Sequence, residues 1–315
     1  LRLVFCGTPE FAVPSLKHLL EQSDFAIAAV VTQPDRPRGR GHEVALSPVK
    51  QLAVEAGISV HQPEKIRSPE SRELIEKIAP EAVVIIAYGQ IIPAELLGIP
   101  RLGWINLHAS LLPKYRGAAP IHWAVANGET TTGVTTMRID AGMDTGEILL
   151  QRELAIAASE TAPEVAARLA ELGAPLIAET LRGLASNAIA PRVQDHSAAT
   201  YAPILKKEDG RIHWNLPARQ IFNRMRGFTP WPGAYTEFRS QKCHIWGEPV
   251  SNVSAEPGDA QPGVLHVQNG ELFVSCGDTT RLHVLSVKVE GHKQVSGAEF
   301  VRGARLQPGE RFGAS

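Results

Sequence analysis

Leu1-Arg2-Leu3-Val4-Phe5-Cys6-Gly7-Thr8-Pro9-Glu10-Phe11-Ala12 opens the chain with an apolar run that stops at a glycine and restarts after a proline. Residues of this kind spell a buried strand over 1–6, a tight turn and the start of a helix. Past Pro9, Phe11, Leu16, Leu19 and Leu20 fall on the buried side of that helix, and a second strand reads at 25–32. Strand, helix and strand at this spacing form the unit of a parallel sheet covered by helices. The pattern continues with strands at 82–87, 104–108 and 134–139 and helices near 48–56, 69–78 and 161–184. The fold class expected is α/β, with a Rossmann-like, mostly parallel sheet. Its opening turn carries a single glycine where a dinucleotide site needs three, and Gly39-Arg40-Gly41 is not followed by Gly-Lys-Ser/Thr. Nicotinamide, flavin and nucleoside-triphosphate chemistry therefore lose their usual sequence support.

After residue 184 the helical periodicity ends, and 188–206 has the small, polar composition of a connection between domains. One helix follows at 217–226, closed by Gly227 and the turn-rich Thr229-Pro230-Trp231-Pro232-Gly233. Short alternating strands then read at 234–239, 241–246, 263–267, 271–274 and 281–290. Several short strands in a small segment suggest a β-barrel, the oligonucleotide-binding (OB) type being one option. The expected organisation is a sheet domain over 1–188, a linker over 189–206 and a small OB-like barrel over 207–315.

The 315 residues, 43 % apolar and 21 % charged, suffice for two domains with cores and exclude a disordered or coiled-coil chain. No apolar run approaches the ~20 residues of a membrane helix, and residues 1–7 lack the basic region of a signal peptide, so a cytoplasmic protein is expected. Three cysteines, Cys6, Cys243 and Cys276, are spaced for neither a disulfide framework nor paired zinc ligands. Lys and Arg number 32 against 33 Asp and Glu, so a nucleic-acid partner must be held by a local patch. From Lys206 onward the chain carries 14 basic and 11 acidic residues, a mild excess.

Within Asn106-Leu107-His108-Ala109-Ser110-Leu111-Leu112-Pro113, a strand projects Asn106 and His108 onto one face, at the carboxyl edge where open parallel sheets bind ligands. An amide and an imidazole side by side suit a developing oxyanion, although a buried pair satisfying one another reads the same way. In Asp140-Ala141-Gly142-Met143-Asp144-Thr145-Gly146, Asp144 sits between glycines, placed either to orient His108 and take a proton or simply to form an Asx turn. No serine elbow or thiolate pair accompanies them, so no acyl-enzyme is indicated.

These segments, with Gly7-Thr8-Pro9-Glu10-Phe11 and Lys114-Tyr115-Arg116-Gly117-Ala118-Ala119-Pro120-Ile121, resemble the methionyl-tRNA formyltransferase family over nearly the whole chain. The Asn-x-His run with its distant Asp is shared by the wider superfamily that uses 10-formyltetrahydrofolate. The resemblance implies a catalytic trio of Asn106, His108 and Asp144. It implies a folate border at Ser110, Leu111, Leu112 and Pro113, and Tyr88 and Gly89 lie at the same sheet edge. The implied reaction moves a formyl group from 10-formyltetrahydrofolate, the co-substrate, to the α-amine of methionyl initiator tRNA, with no metal. The chain is expected to act as a monomer without membrane contact.

Family members carry a basic loop after the second strand that meets the tRNA. Here Pro34-Asp35-Arg36-Pro37-Arg38-Gly39-Arg40-Gly41-His42 stands in that place, and Arg36, Arg38 and Arg40 can reach phosphates from an extended backbone or be ordinary surface charge. Arg219 and Arg226, seven apart on one helix, offer a second patch, opposite Ile221, Phe222 and Met225. Trp231 and Trp246 suit base stacking or core filling. The rival readings are another 10-formyltetrahydrofolate enzyme, a hydrolase or a sugar-amine formyltransferase, and a tRNA-binding protein without catalysis.

Overall fold

The computed structural model describes residues 1–38, 43–250 and 261–313, in two compact units. The first unit comprises Leu1–Pro120, Thr131–Ala155 and Glu164–Pro203, and the second Ile121–Thr130, Ile156–Pro163 and Ile204–Ser315. Residues 189–203, which read as a connection, thus group with the first unit.

The chain begins β1 (Arg2–Gly7), α1 (Val13–Leu20), β2 (Ala26–Val31), a short hairpin of β3 (Pro37–Arg38) and β4 (Glu43–Val44), α2 (Pro48–Glu55), β5 (Val60–His61) and α3 (Pro69–Ile78). It continues with β6 (Ala82–Ile86), α4 (Ala94–Leu97), β7 (Trp104–His108), α5 (Pro120–Ala126), β8 (Thr131–Arg138), β9 (Ile148–Ala155) and α6 (Ala162–Ala185). Ser47 and Ser68 each accept a backbone N–H three residues on, from Lys50 and Ser71, with proline following the cap, so the Ser-Pro pairs set where α2 and α3 begin.

The strands of the first sheet run β5-β2-β1-β6-β7-β8-β9. β5, β2, β1, β6 and β7 are parallel, while β8 and β9 join antiparallel. The parallel half is as expected. The residues that became β9 escape a sequence reading because Gln151, Arg152 and Glu153 interrupt the apolar run, as befits an edge strand with one wet side. Central β1 and β6 are buried almost throughout, which explains their unbroken apolar runs. Because β1 connects outward to β2 while β6 lies on its other side, strand order reverses between β1 and β6, the point where doubly wound sheets open a crevice at their carboxyl ends. A hydroxyl pair, Thr136 to Thr180 at 2.8 Å, ties α6 to β8.

The second unit carries α7 (Ala218–Gly227), β10 (Tyr235–Phe238), β11 (Gln241–Pro249), β12 (Leu265–Gln268), β13 (Glu271–Ser275), β14 (Arg281–Val289), β15 (Val295–Ser296) and α8 (Gly297–Ala304). Its strands form an antiparallel sheet ordered β10-β11-β14-β13-β12, with β15 paired to β14. Among the described residues no ladder joins the edge strands β10 and β12, so the sheet is open where a barrel is expected. Its core gathers Trp214, Ile221, Met225, Phe238, Cys243, Leu272, Val284, Phe300 and Phe312. A capping box between Ser296 and Glu299 starts α8.

Candidate active site

β7 carries the first two candidates to the carboxyl edge of the sheet. Its alternation buries Ile105 and Leu107 among hydrophobic residues and turns Asn106 and His108 to the other face, Asn106 half-buried and His108 buried. Register pins them: Asn106 lies between Ile85 of β6 and Met137 of β8, and His108 opposite Thr135. His108 Nε2 donates to the carbonyl of Tyr115 at 2.9 Å, since a carbonyl only accepts. The alternative in which Asn106 and His108 satisfy each other is therefore not realised.

Asp144 reaches the same place from the loop after β8. The Asx turn belongs to Asp140, whose Oδ1 accepts from Gly142 N–H at 3.0 Å and the Thr145 hydroxyl at 2.7 Å. That leaves the Asp144 carboxylate to serve elsewhere, with its backbone in the left-handed region at φ 53°. A side chain at Gly146 would put its Cβ 1.9 Å from the Arg138 carbonyl, so only glycine lets the loop turn back here. Asp144 Oδ2 accepts from Gly117 N–H at 2.8 Å and stands 3.7 Å from His108 Nδ1. The two side chains face one another as an ion-pair-range contact, longer than the hydrogen bond that the sequence suggests.

The loop leaving β7 is braced from within. Thr135 Oγ1 donates to Ser110 O at 2.6 Å and receives Leu112 N–H at 3.1 Å, while Gln151 Nε2 reaches Leu112 O at 3.0 Å. The Ser110 hydroxyl is buried and donates to Lys114 O at 2.6 Å. Leu112 is buried, and Leu111 and Pro113 are partly exposed. Of this stretch, Leu111 and Pro113 present side-chain surface outward.

Tyr88 and Gly89 follow β6 at the strand-order reversal. The Tyr88 ring lies in the core with Val4, Cys6 and Val31, and burial drives its phenol far above the usual range. Its hydroxyl has no hydrogen-bond partner among the described residues, while its carbonyl accepts from Gln33 Nε2 at 3.0 Å. Gly89 turns the chain at φ 85°.

The basic candidates separate. Arg36 is exposed; Arg38 belongs to β3, and Arg40 lies outside the described residues. The loop's base is fastened by Asp35, which pairs with Lys50 and accepts from Gln62 Nε2 at 2.9 Å; Lys50 and then Gln62 hold that carboxyl below its ordinary range. Arg219 is exposed, its guanidinium over the Phe222 ring. Arg226, expected on the same wet face, is instead 3 % exposed, donating to Ala157 O at 3.2 Å, Glu160 O at 3.0 Å and Asn223 Oδ1 at 3.1 Å. Seven residues bring two side chains round to nearly the same face of a helix, but packing around each end decides which stays in water. Trp231 is exposed, whereas Trp246 packs edge-on against Phe222.

Sequence reasoning assigned no role to the Tyr115 carbonyl, the Gly117 N–H, Thr135 or Gln151. The first two act through backbone atoms, which any residue type supplies. Only glycine fits at 117, however, because φ is 116° and a Cβ would lie 2.7 Å from Ala202 O. Among the described residues no group of three or more His, Cys, Asp or Glu is placed to hold a metal ion.

The Rossmann-like sheet followed by a second, antiparallel one agrees with what comparison with known proteins finds. Residues 1–181 match the family described as formyl transferase, and residues 204–305 the formyl transferase C-terminal domain. The chain belongs to the formyl transferase family. Within it, the methionyl-tRNA formyltransferase of Acidobacterium capsulatum is 52 % identical over 316 residues, covering 100 % of both chains. That of Solibacter usitatus is 52 % identical over 314 residues, covering 99 % of both. Among solved structures, a sugar 3N-formyl transferase, WlaRD, in the presence of dTDP and 5-N-formyl-THF, is 18 % identical with a TM-score of 0.65, covering 93 % of this chain and 99 % of that one. An N-formyltransferase from Helicobacter canadensis in complex with folinic acid and dTDP-3-aminofucose is 18 % identical with a TM-score of 0.63, covering 90 % and 98 %. At such identity these two show the fold alone.

Proposed function

We propose that the chain transfers a formyl group from 10-formyltetrahydrofolate to the α-amine of methionyl initiator tRNA, supporting translation initiation. The observation that carries this reading is the 52 % identity to methionyl-tRNA formyltransferases from end to end, both sequence units included. The residues at the sheet edge fit a formyl donor: the Asn106 carboxamide makes no hydrogen bond within the described residues and shares with His108 one face of β7, toward the carboxyl end of that strand. The co-substrate supplies an activated formyl carbon. Residues 88–89 and 110–113 border it, through the backbone turn at Gly89 and the partly exposed Leu111 and Pro113 more than through the buried Ser110 and Tyr88 side chains.

In this reading attack by the amine turns the formyl oxygen into an oxyanion and leaves a proton to be removed. Asn106 donates to the oxyanion together with the His108 ring, once that ring carries a second proton on Nδ1. Asp144, fixed by Gly117, balances the charge on His108 and takes the amine proton; the oxyanion then collapses, the bond from the formyl carbon to N10 of the donor breaks, and N10 leaves with that proton. One such donor contributes about 2.7 to 4 kcal/mol in comparable acyl transfers. Transfer between two nitrogens involves no change of oxidation state, so no redox group is part of the scheme.

On the acceptor side, Arg36, Arg38, Arg40 and Arg219 are the proposed tRNA contacts. The second sheet serves as an open OB-like tRNA-binding element within 207–315, after a catalytic part over 1–188. The protein acts as a cytoplasmic monomer, and no helix among the described residues is long and apolar enough to cross a membrane. The test offers formyl donor with charged initiator tRNA, a dTDP-linked amino sugar or water alone. Rapid formylation of the tRNA only is expected; faster transfer to the sugar, or hydrolysis at the same rate, would replace this reading with one of its rivals.

A further inference from the structure

We propose that Gln194 is a positioning residue for formyl transfer: its carboxamide clamps the Asp144 loop to the turn that holds His108. The inference rests on the reading of Asp144 as a proton acceptor, and reaches past it to a residue in a segment whose sequence resembles a plain connection.

Gln194 is 3 % exposed and uses both ends of its amide. Nε2 donates to the carbonyls of Asp144 at 2.9 Å and Gly146 at 2.7 Å, on either side of Thr145. Oε1 accepts from Arg116 Nε at 3.1 Å and Nη2 at 2.7 Å. Two carbonyls on one side and a guanidinium on the other allow only one orientation of the amide. Arg116 is itself 2 % exposed and has no carboxylate partner among the described residues; besides Gln194 its guanidinium meets His196 Nδ1 at 3.2 Å. A buried cation answered by an amide oxygen and an imidazole gains little stability, which points to a geometric purpose.

That geometry links both halves of the site. Arg116 stands between Tyr115, whose carbonyl receives His108 Nε2, and Gly117, whose N–H holds Asp144 Oδ2. The backbone of Arg116 is bonded to Thr200 O at 2.8 Å and Ala202 N at 2.7 Å, so the segment carrying Gln194 brackets the turn. Asp144 sits in the left-handed region without being glycine and so relies on its surroundings to stay there. Gln194 adds a second link between the two loops beside the bond from Gly117 to Asp144, and freeing it lets the Asp144 carboxylate drift relative to His108.

Gln194→Glu keeps the side-chain size and an acceptor for Arg116 but removes both donors and turns an oxygen toward two carbonyls. Gln194→Met keeps the size and neither function. In both, kcat for formylation of charged initiator tRNA should fall about ten-fold or more, with the KM values for tRNA and formyl donor within about two-fold, since small misplacement acts on turnover. In an Asp144→Asn background, Gln194→Glu should add less than about two-fold, because the group it positions is gone. Unchanged kcat, a loss confined to KM, or a loss that multiplies fully with Asp144→Asn would overturn the inference. Failure of both variants to fold would overturn it too, by making Gln194 a folding residue. If Asp144→Asn alone keeps its turnover, the proton-acceptor reading falls and takes the inference with it; a silent Gln194 beside a disabling Asp144→Asn removes the inference alone.

Discussion

His108 Nδ1 and Asp144 Oδ2 face each other across 3.7 Å, and each is held in place by a backbone group of the same turn. The ring is fixed through the Tyr115 carbonyl at 2.9 Å and the carboxylate through the Gly117 N–H at 2.8 Å. Neither needs the other to stay put. At this separation charge on one is felt by the other, while no direct hydrogen bond joins them. The scaffold of the pair is thus a single turn, Tyr115-Arg116-Gly117.

His108→Ala and Asp144→Asn should each lower turnover by about 10²- to 10⁴-fold while formyl-donor affinity, read by titration, stays within a few-fold, because in the proposed mechanism both groups act on the developing charges. As the two share one task, the double variant should lose much less than the product of the single losses. Full additivity of the activation free energies would show that the 3.7 Å contact has no functional meaning.

The Rossmann-like half was readable in the sequence because parallel strands buried on both faces leave unbroken apolar runs, as at residues 2–7 and 82–86. Alternation in β7 likewise put Asn106 and His108 on one face. What stayed hidden depends on partners far along the chain. Arg226 is buried by carbonyls at 157 and 160, Gln194 by a loop about fifty residues earlier, and β9 is a half-wet edge strand. None of these leaves a local period. The expected barrel overreached for a related reason: strand count and length were legible, but closure is a matter of which edges pair.

Stability should fall in alkali through the second unit's thiols. Burial pushes Cys243 from 9.0 up to about 11 and Cys276 from 9.0 up to about 12. Between pH 9 and these values the unfolded chain loses thiol protons that the folded chain retains, so the unfolded state binds fewer protons and stability decreases as pH rises. It is fully present below about pH 9, and each thiol contributes a slope of about 1.4 kcal/mol per pH unit in its window. Denaturant titrations at pH 8 to 10.5 should show the decline, shallower in Cys243→Ala. A flat profile would mean that the thiols ionise in place.

Replacing Arg36, Arg38 and Arg40 together by Ala should raise KM for charged tRNA and flatten its dependence on salt, by at most about 0.9 in logarithmic slope for each duplex phosphate that is no longer neutralised. Formyl-donor affinity should not change. The side chain of Arg36 is exposed above a base fastened by Asp35, Lys50 and Gln62, so its removal leaves the loop anchored. Unaltered tRNA kinetics across a salt series would return these arginines to ordinary surface charge and favour a small acceptor.

Arg219 and Arg226 share a helix and should fail in different ways. The exposed Arg219 can meet a phosphate without giving up a bond other than its loose contact with the Phe222 ring at 5.7 Å. Arg219→Ala should leave the melting temperature within a degree or two, a surface change of the usual small size, and weaken charged tRNA more at low salt than at high. Arg226 already serves two carbonyls and the Asn223 side chain from a buried position, and Arg219 nearby lowers its hold on its proton only after burial does. Arg226→Ala strands those carbonyls and should lower stability by about 1–3 kcal/mol. Arg226→Lys should rescue only part of this loss, since a single ammonium cannot reproduce the spread of a guanidinium. At temperatures where the variant remains folded, its salt dependence for tRNA should match that of the unaltered protein. A flattened slope in folded Arg226→Ala would mean that the guanidinium leaves its carbonyls for the tRNA, and the two arginines would again form one patch.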